Sequence, residues 1–315
     1  MKRANALQTA ERALHQAGYQ VSRRCTSRES CFDFAARDDE HLILVKAFPD
    51  IRDVYRDVSA WIRTVACCFS SAAVFITDMK DEKNLRDDTV YLRYGVQVVT
   101  SKTFEDIVLR GSLPLVEAAP GGYYVRVDGS RIRELRHELG LSISKLGAMV
   151  GVSRRTLYGY ERGMARASVS AAYELGKILG VPIAKAVDVF ERALSFPHFN
   201  DPPSENCEDT GNRLLRFIVR KLTKLNIKVL PMNRTPFDFT AECPEAELKI
   251  VGGVFEKKDR RAKERMDEIV SLSKLVEARP LLLGEERIAC TDDIVFLEHG
   301  ELARIKDRKE LTALL

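Results

Sequence analysis

The 315-residue sequence predicts an α/β domain present in two copies that flank an all-helical domain, and three observations carry that prediction. FDFAAR at Phe32 returns as FDFTAE at Phe237, and DDTVYLRYG at Asp87 returns as DDIVFLEHG at Asp292, both 205 residues later. Separated motifs that keep their order and spacing indicate a duplicated domain, because the period is far too long for a solenoid. Between the copies, apolar residues recur at three- and four-residue intervals, the spacing of one helix face. This middle is also basic: residues 128–192 hold eleven Lys/Arg against seven Asp/Glu, in a chain whose whole net charge is +4. A basic middle between neutral flanks points to a polyanionic partner for the middle alone. The expected boundaries are 1–112 for the first α/β domain, 113–127 for a linker, 128–195 for the helical domain, 196–211 for a second linker and 212–315 for the second copy.

In chain order, residues 5–17 place Leu7, Ala10, Leu14 and Ala17 on one helix face and stop at Gly18. Strand signals follow at 19–23, 31–36 and 42–48; the last is nearly continuous apolar, as in a strand covered on both faces. Residues 51–69 are helical in pattern, 73–77 and 90–94 read as strands, and 102–109 as a closing helix. The first linker carries Pro114, Pro120, Gly121 and Gly122, with a short strand-like piece at 123–127. The middle then predicts five helices: 128–139, stopped by Gly140; 144–150; 153–162; 169–179; and a fifth opened by Pro182 and running to about 193. FPHFNDPPSENCEDTGN, from Phe196, is proline-rich and polar and should be loop. In the last segment, 213–225, 248–251 and 257–278 match the opening helix, the LILV strand and the long helix.

Composition excludes several classes. The seven cysteines form no CxxC and the five histidines do not cluster with them, which argues against zinc and for reduced, cytoplasmic thiols. Cys67 and Cys68, on the long helix, read as buried small-residue packing rather than as redox-sensitive thiols. The start is amphipathic without an apolar signal core, and the longest apolar stretch, 65–76, is too short to cross a bilayer. Neither GxGxxG nor GxxxxGK occurs, so no cofactor is expected and no effector is assigned.

The helix from Ser153 carries the most specific signal. Ser153 suits an N-cap, Leu157 and Tyr160 face a core, and Arg154, Arg155 and Tyr158 point away from it. Paired guanidinium groups on a small helix suit the reading of base edges in a DNA major groove, against the plainer reading of a solvated helix face. The preceding helix is joined to it only by Gly151 and Val152, the short turn of a helix-turn-helix. LRHELGLSISKLGAMVGVSRRTLYGYERG, followed by AAYELGKILGVPI, resembles the lambda-repressor/Cro-like (XRE) helix-turn-helix domain over about 60 residues. That resemblance implies that the third helix is the recognition helix, with Arg154 and Arg155 at base-contacting positions and Ser153 at a phosphate. It implies an interhelical salt bridge between Arg136 and Glu161. Tyr158 meets a phosphate or a thymine methyl, or is a plain exposed aromatic. Arg162 and Arg166, after the helix, are candidates for phosphate contacts, which position a protein without reading sequence. Two departures narrow the reading: Ile143 stands where a phosphate-gripping glutamine is common, and Gly159 occupies a further base-contacting position. The implied partners are double-stranded DNA and a second copy of the chain, a homodimer on half-sites about 34 Å apart, joined through the flanking copies.

The flanks carry a second resemblance. Helix, three strands, helix, strand is the order of the restriction-endonuclease-like fold, whose PD-(D/E)xK site binds a divalent metal. By position, Glu11, Asp33 and Lys46 would form that site. The second acid of the motif is Leu44 here, too few hard oxygen ligands for Mg²⁺ unless Asp53 or Asp57 moves in. The second copy keeps Asp238 but has Gly252 for Lys46 and Val219 for Glu11. Retention of Asp33 and Asp238 permits a structural role, such as bonding to backbone amides at a strand bend. The expectation is a chain without enzymatic activity or a metal, with a metal-dependent nuclease as the alternative. The whole layout, most closely SCFDF, APGGYYVRVDG and SRRTLYGYERG, resembles an archaeal family of XRE-type regulators, which implies a cytoplasmic, sequence-specific transcriptional regulator.

Overall fold

The computed structural model describes residues 3–192, 212–243, 248–256, 259–284 and 294–314. In chain order the first elements are α1 (Arg3–Gln16), β1 (Gln20–Val21), β2 (Phe34–Arg37), β3 (Leu42–Ala47), α2 (Arg56–Phe69), β4 (Ala72–Ile76), the small hairpin β5 (Met79–Lys80) and β6 (Lys83–Asn84), β7 (Thr89–Arg93), β8 (Val96–Val99) and α3 (Ser101–Arg110). The middle comprises β9 (Val116–Ala119), β10 (Gly122–Val127), α4 (Gly129–Glu138), α5 (Ile143–Val150), α6 (Arg154–Glu161), β11 (Ala167–Ser168), α7 (Val169–Leu179) and β12 (Ala184–Lys185). The last part holds α8 (Arg213–Lys224), β13 (Lys228–Pro231), β14 (Phe239–Cys243), β15 (Leu248–Phe255), α9 (Ala262–Leu275), β16 (Arg279–Gly284), β17 (Val295–Glu298), α10 (His299–Arg304) and α11 (Arg308–Leu314). Two compact units result: one from Met1–Ala13, Pro49–Arg52 and Ile76–Val189, the other from Leu14–Phe48, Asp53–Phe75 and Phe190–Leu315.

In the first unit the strands run in the order β8-β7-β9-β10-β11. The segment read as a linker at 113–127 therefore carries structure: β9 pairs parallel with β7, Thr89 opposite Val116, and antiparallel with β10. Among the described residues the expected fifth helix is absent. Residues 184–185 pair with β10, Arg126 opposite Lys185, and the Asp128 amide donates to the Ile183 carbonyl at 2.8 Å. The open edge of β10 offers backbone partners that a helix would forgo, and Val187 and Val189, two apart, are both buried as in extended chain. The four remaining helices, α4–α7, enclose Ile132, Leu135, Leu146, Val150, Leu157, Tyr160, Leu175 and Leu179. Each such side chain contributes about 1.5–3 kcal/mol by leaving water.

In the second unit β13-β14-β15-β16-β17 form a five-stranded sheet, antiparallel as far as β15 and parallel beyond it. Leu281, Leu283, Ile250 and Phe239 fill its core with α8. The register corrects one correspondence. Phe34 lies opposite Val45 and Phe239 opposite Gly252, so the counterpart of Lys46 is Gly253, one residue beyond Gly252. No lysine fits either place: a Cβ on Gly252 would lie 2.0 Å from the Phe239 ring, and one on Gly253 2.6 Å from Ile269. The paired strings at Asp87 and Asp292 also diverge. β7 turns at Tyr94 and Gly95 into β8, whereas β17 ends in the capping box that starts α10. Cys67 is exposed, contrary to the packing role expected of it, because neighbours on a helix face different ways; Cys68 is half-buried, its thiol pushed up to about 11 by desolvation. The second linker, 196–211, lies outside the described residues. Among the described residues no helix is long and apolar enough to cross a membrane.

Candidate nucleic-acid interface

Local chemistry fixes α6 in place. Gly151, at φ 78°, closes α5 in the left-handed conformation that favours glycine, and the chain re-enters a helix after Val152. Ser153 caps α6: its Oγ accepts the Thr156 amide hydrogen at 3.0 Å. α4 starts at the N-cap Asp128, which accepts from the Arg131 amide at 3.1 Å and pairs with Lys185 at 3.2 Å. Hydrogen bonds from Ser130 and the Arg131 amide hold the Asp128 carboxyl at about 2. Gly129 then presses onto the end of α6, where a Cβ would lie 2.3 Å from the Tyr160 carbonyl oxygen.

The strongest tie is ionic. Arg136 of α4 donates from Nε and Nη2 to the two carboxylate oxygens of Glu161, at 2.6 and 3.1 Å, and from Nη1 to the Leu141 carbonyl at 2.9 Å. Both side chains are nearly sealed from water, 6% and 4% exposed. One guanidinium thus joins α4, the turn before α5 and the last residue of α6. With Leu157 and Tyr160 buried beneath, α6 can turn only its other face to solvent.

That face carries Arg154, Arg155 and Tyr158, all exposed, with Ser153 at its start. Neither Arg154 nor Arg155 is held by a carboxylate among the described residues. Arg162 stacks on the Tyr158 ring, 5.5 Å from its centroid, so these two present one surface. Arg166 is tied back: its Nε lies 3.4 Å from Glu117, a carboxylate 8% exposed that also receives Arg126 through two hydrogen bonds of 2.7 and 3.0 Å. Sequence reasoning missed Glu117; its only signal was a lone acid in the apolar run LPLVEAA. A Cβ on Gly159 would lie 3.3 Å from the Ala165 Cβ, so the loop after α6 crowds the position where a base-reading side chain would stand. Ile143, first residue of α5, packs against the helical core.

Asp33 and Lys46 lie in the second unit and Glu11, on α1, in the first. Asp33 Oδ2 accepts the Ala47 amide hydrogen at 2.8 Å, Lys46 Nζ sits 3.7 Å from Oδ1 and donates to the Ser30 carbonyl, and Leu44 is fully buried. Asp57 pairs with Arg234 at 2.7 Å. Asp238 repeats the same strand clasp, accepting the Val254 amide hydrogen at 2.6 Å, and is flanked by two guanidinium groups, Arg28 at 2.9 Å and the buried Arg265. Arg28 also donates to the Thr235 and Phe237 carbonyls, and Arg265 to those of Pro236 and Val254. A divalent cation would meet two guanidinium groups at Asp238 and, at Asp33, a carboxylate already bonded to the Ala47 amide with Lys46 beside it. Among the described residues no group of three or more His, Cys, Asp or Glu could hold one.

Comparison with known proteins gives two domain matches, a PD-(D/E)XK superfamily domain over residues 3–114 and a helix-turn-helix over residues 132–185. Full-length relatives share the name "Putative HTH-type transcriptional regulatory protein". The one from Methanocaldococcus jannaschii is 31% identical over 90% of this chain and 87% of its own length. That from Methanocella arvoryzae is 30% identical over 100% and 96%, and that from Pyrococcus furiosus 27% identical over 97% and 95%.

Proposed function

The chain belongs to the family of HTH-type transcriptional regulatory proteins that these archaeal relatives represent, and on that premise we propose that it regulates transcription by sequence-specific binding to double-stranded DNA through α6. The observation that carries this reading is the pair of exposed guanidinium groups of Arg154 and Arg155, unpaired among the described residues, at the start of a helix clamped by the buried Arg136–Glu161 pair. A bidentate arginine–guanine contact discriminates by about 1–3 kcal/mol, and only a reading helix that does not rock can use it. Ser153, Tyr158 and Arg162 line the same face and supply backbone contacts; Arg166 supplies one once it leaves Glu117.

The chain acts in the cytoplasm as a homodimer, because a single reader of two strong letters selects too short a site. The flanking segments are two copies of one nuclease-like domain whose surviving aspartate now clasps a strand, Asp33 to Ala47 and Asp238 to Val254. Support for the reading of the chain as no enzyme comes from that reuse. The PD-(D/E)XK match over residues 3–114 favours metal-dependent cleavage as a second reading. Selection of bound sequences from random duplex DNA tests the first reading, and Mg²⁺ or Mn²⁺ with plasmid and branched DNA tests the second. Cleavage lost in Lys46→Ala would overturn the assignment of these domains as inert.

A further inference from the structure

Within the first unit, residues 51–52, β5, β7 and the β9–β10 hairpin line a cavity of about 660 Å³ at the Pro120–Gly122 turn, well away from the exposed face of α6 in sequence and unexplained by DNA reading. Its walls are chemically mixed in a specific way. Lys80 and Arg93 contribute charge; Arg52 also lines it but is neutralised by Asp50 and Asp81. The Nε of Arg93 is buried and has no hydrogen-bond acceptor among the described residues, although its guanidinium lies over the Tyr94 ring at 5.4 Å. A buried donor left without an acceptor is a cost that a bound anion would remove. Tyr91 and Tyr123 line it as well. The Tyr91 hydroxyl accepts the Arg86 amide hydrogen at 2.9 Å, and Arg86 stacks on Tyr123 at 4.7 Å, so both rings are held in place. Leu92, 59% exposed, adds apolar surface that nothing in the unit covers. Gly121, at φ 92°, makes the turn and brings bare backbone to the rim.

We propose that this cavity is an effector site for a small organic phosphate of the nucleotide type. Lys80 and Arg93 take the phosphate, and the Tyr91 and Tyr123 rings take a flat base. The volume is that of an ordinary small-molecule site. The site is wired to the reading head through one hairpin. Ala118 and Ala119 line the cavity, and the neighbouring Glu117 holds Arg126 and Arg166. Arg166 immediately precedes Ala167, whose strand β11 pairs with β10 at Val125. A ligand that shifts the β9–β10 turn therefore shifts the grip on Arg166, a residue on the loop that leaves α6. This regulatory half rests on the DNA-reading proposal; the binding half does not.

The test is calorimetric titration of the full chain, without DNA, with AMP, ATP and pyrophosphate. AMP or ATP is expected to bind with Kd below about 1 mM, and pyrophosphate, which lacks the base, more weakly. Lys80→Gln with Arg93→Gln is expected to weaken nucleotide binding roughly tenfold or more, since charge-assisted hydrogen bonds are lost. With DNA present, the better nucleotide should change operator affinity by about fivefold or more, and Glu117→Gln should abolish that change. No nucleotide binding at about 1 mM, or binding indifferent to the double variant, overturns the site. Weaker DNA binding by the double variant in the absence of nucleotide, with a shallower salt dependence, overturns it too, because the cavity would then be a phosphate-contact surface for DNA. Because the titration needs no operator, failure of this site is distinguishable from failure of the DNA-reading proposal.

Discussion

Breaking the Arg136–Glu161 pair from one side should be far more damaging than replacing it whole. Glu161→Gln removes the charge that balances a guanidinium only 6% exposed and leaves its two carboxylate acceptors neutral or lost. Stranding a buried charge in this way costs about 3–5 kcal/mol. Arg136→Met together with Glu161→Leu removes both charges and fills similar volume, and the loss should then fall below about 1–2 kcal/mol. The difference between the two losses, about 1–4 kcal/mol, is read by urea unfolding followed through helical circular dichroism. DNA affinity should not recover in the double variant to the extent that stability does, because the charged pair also fixes the angle of α6 through the Leu141 carbonyl. A cost below about 0.5 kcal/mol for Glu161→Gln would refute the reasoning, since exposed pairs behave that way and buried ones do not.

Gly129→Ala is expected to destabilise the helical domain by about 1–3 kcal/mol, because the added Cβ meets backbone, the Tyr160 carbonyl, which cannot rotate aside; thermal unfolding reads the loss. Asp128, held at about 2 against an ordinary 3.8, has a depressed carboxyl and so contributes stability above about pH 4 that is lost as pH falls towards about 2. Unfolding midpoints measured across that window should slope less in Asp128→Asn. Asp238→Asn strands Arg28 and the 7%-exposed Arg265, and should cost about 3–5 kcal/mol in urea unfolding. A neutral result there would mean that the carboxylate does not hold the two guanidinium groups together.

The helical domain was legible because its signals are local. Caps, the glycine at 151 and three-to-four spacing place α4–α7 within a residue or two, and Leu157 and Tyr160 fall inward as their spacing requires. What failed were features decided by partners distant in sequence. Pro182 and the apolar residues after it suit a helix start, but the free edge of β10 captured residues 184–185 as a strand. Pro114, Pro120 and the two glycines suit a linker, yet β7 offers Val116 a parallel partner. The counterpart of Lys46 could be placed only once the strand register was known, because a string match tolerates a one-residue slip that a sheet does not. In the candidate interface the exposed residues of α6 were readable from the face they occupy. Glu117, which holds Arg166, was not, because a single acid in an apolar run carries no periodicity and its partners lie 9 and 49 residues away. Asp33 and Asp238 were seen as retained, and their shared role as a clasp for the neighbouring strand's amide became visible only in three dimensions.

The central claim, that α6 reads bases through two arginines, is tested most directly by one ratio. It is the affinity for a sequence selected from random duplex DNA divided by that for its scrambled counterpart, measured at fixed salt for the native chain and for Arg154→Ala with Arg155→Ala. Two guanidinium–guanine contacts at the low end of their range amount to about 2 kcal/mol, so the ratio should fall by roughly 30-fold in the variant, with only a modest loss on scrambled DNA. An unchanged ratio would contradict the account, whatever happens to overall affinity.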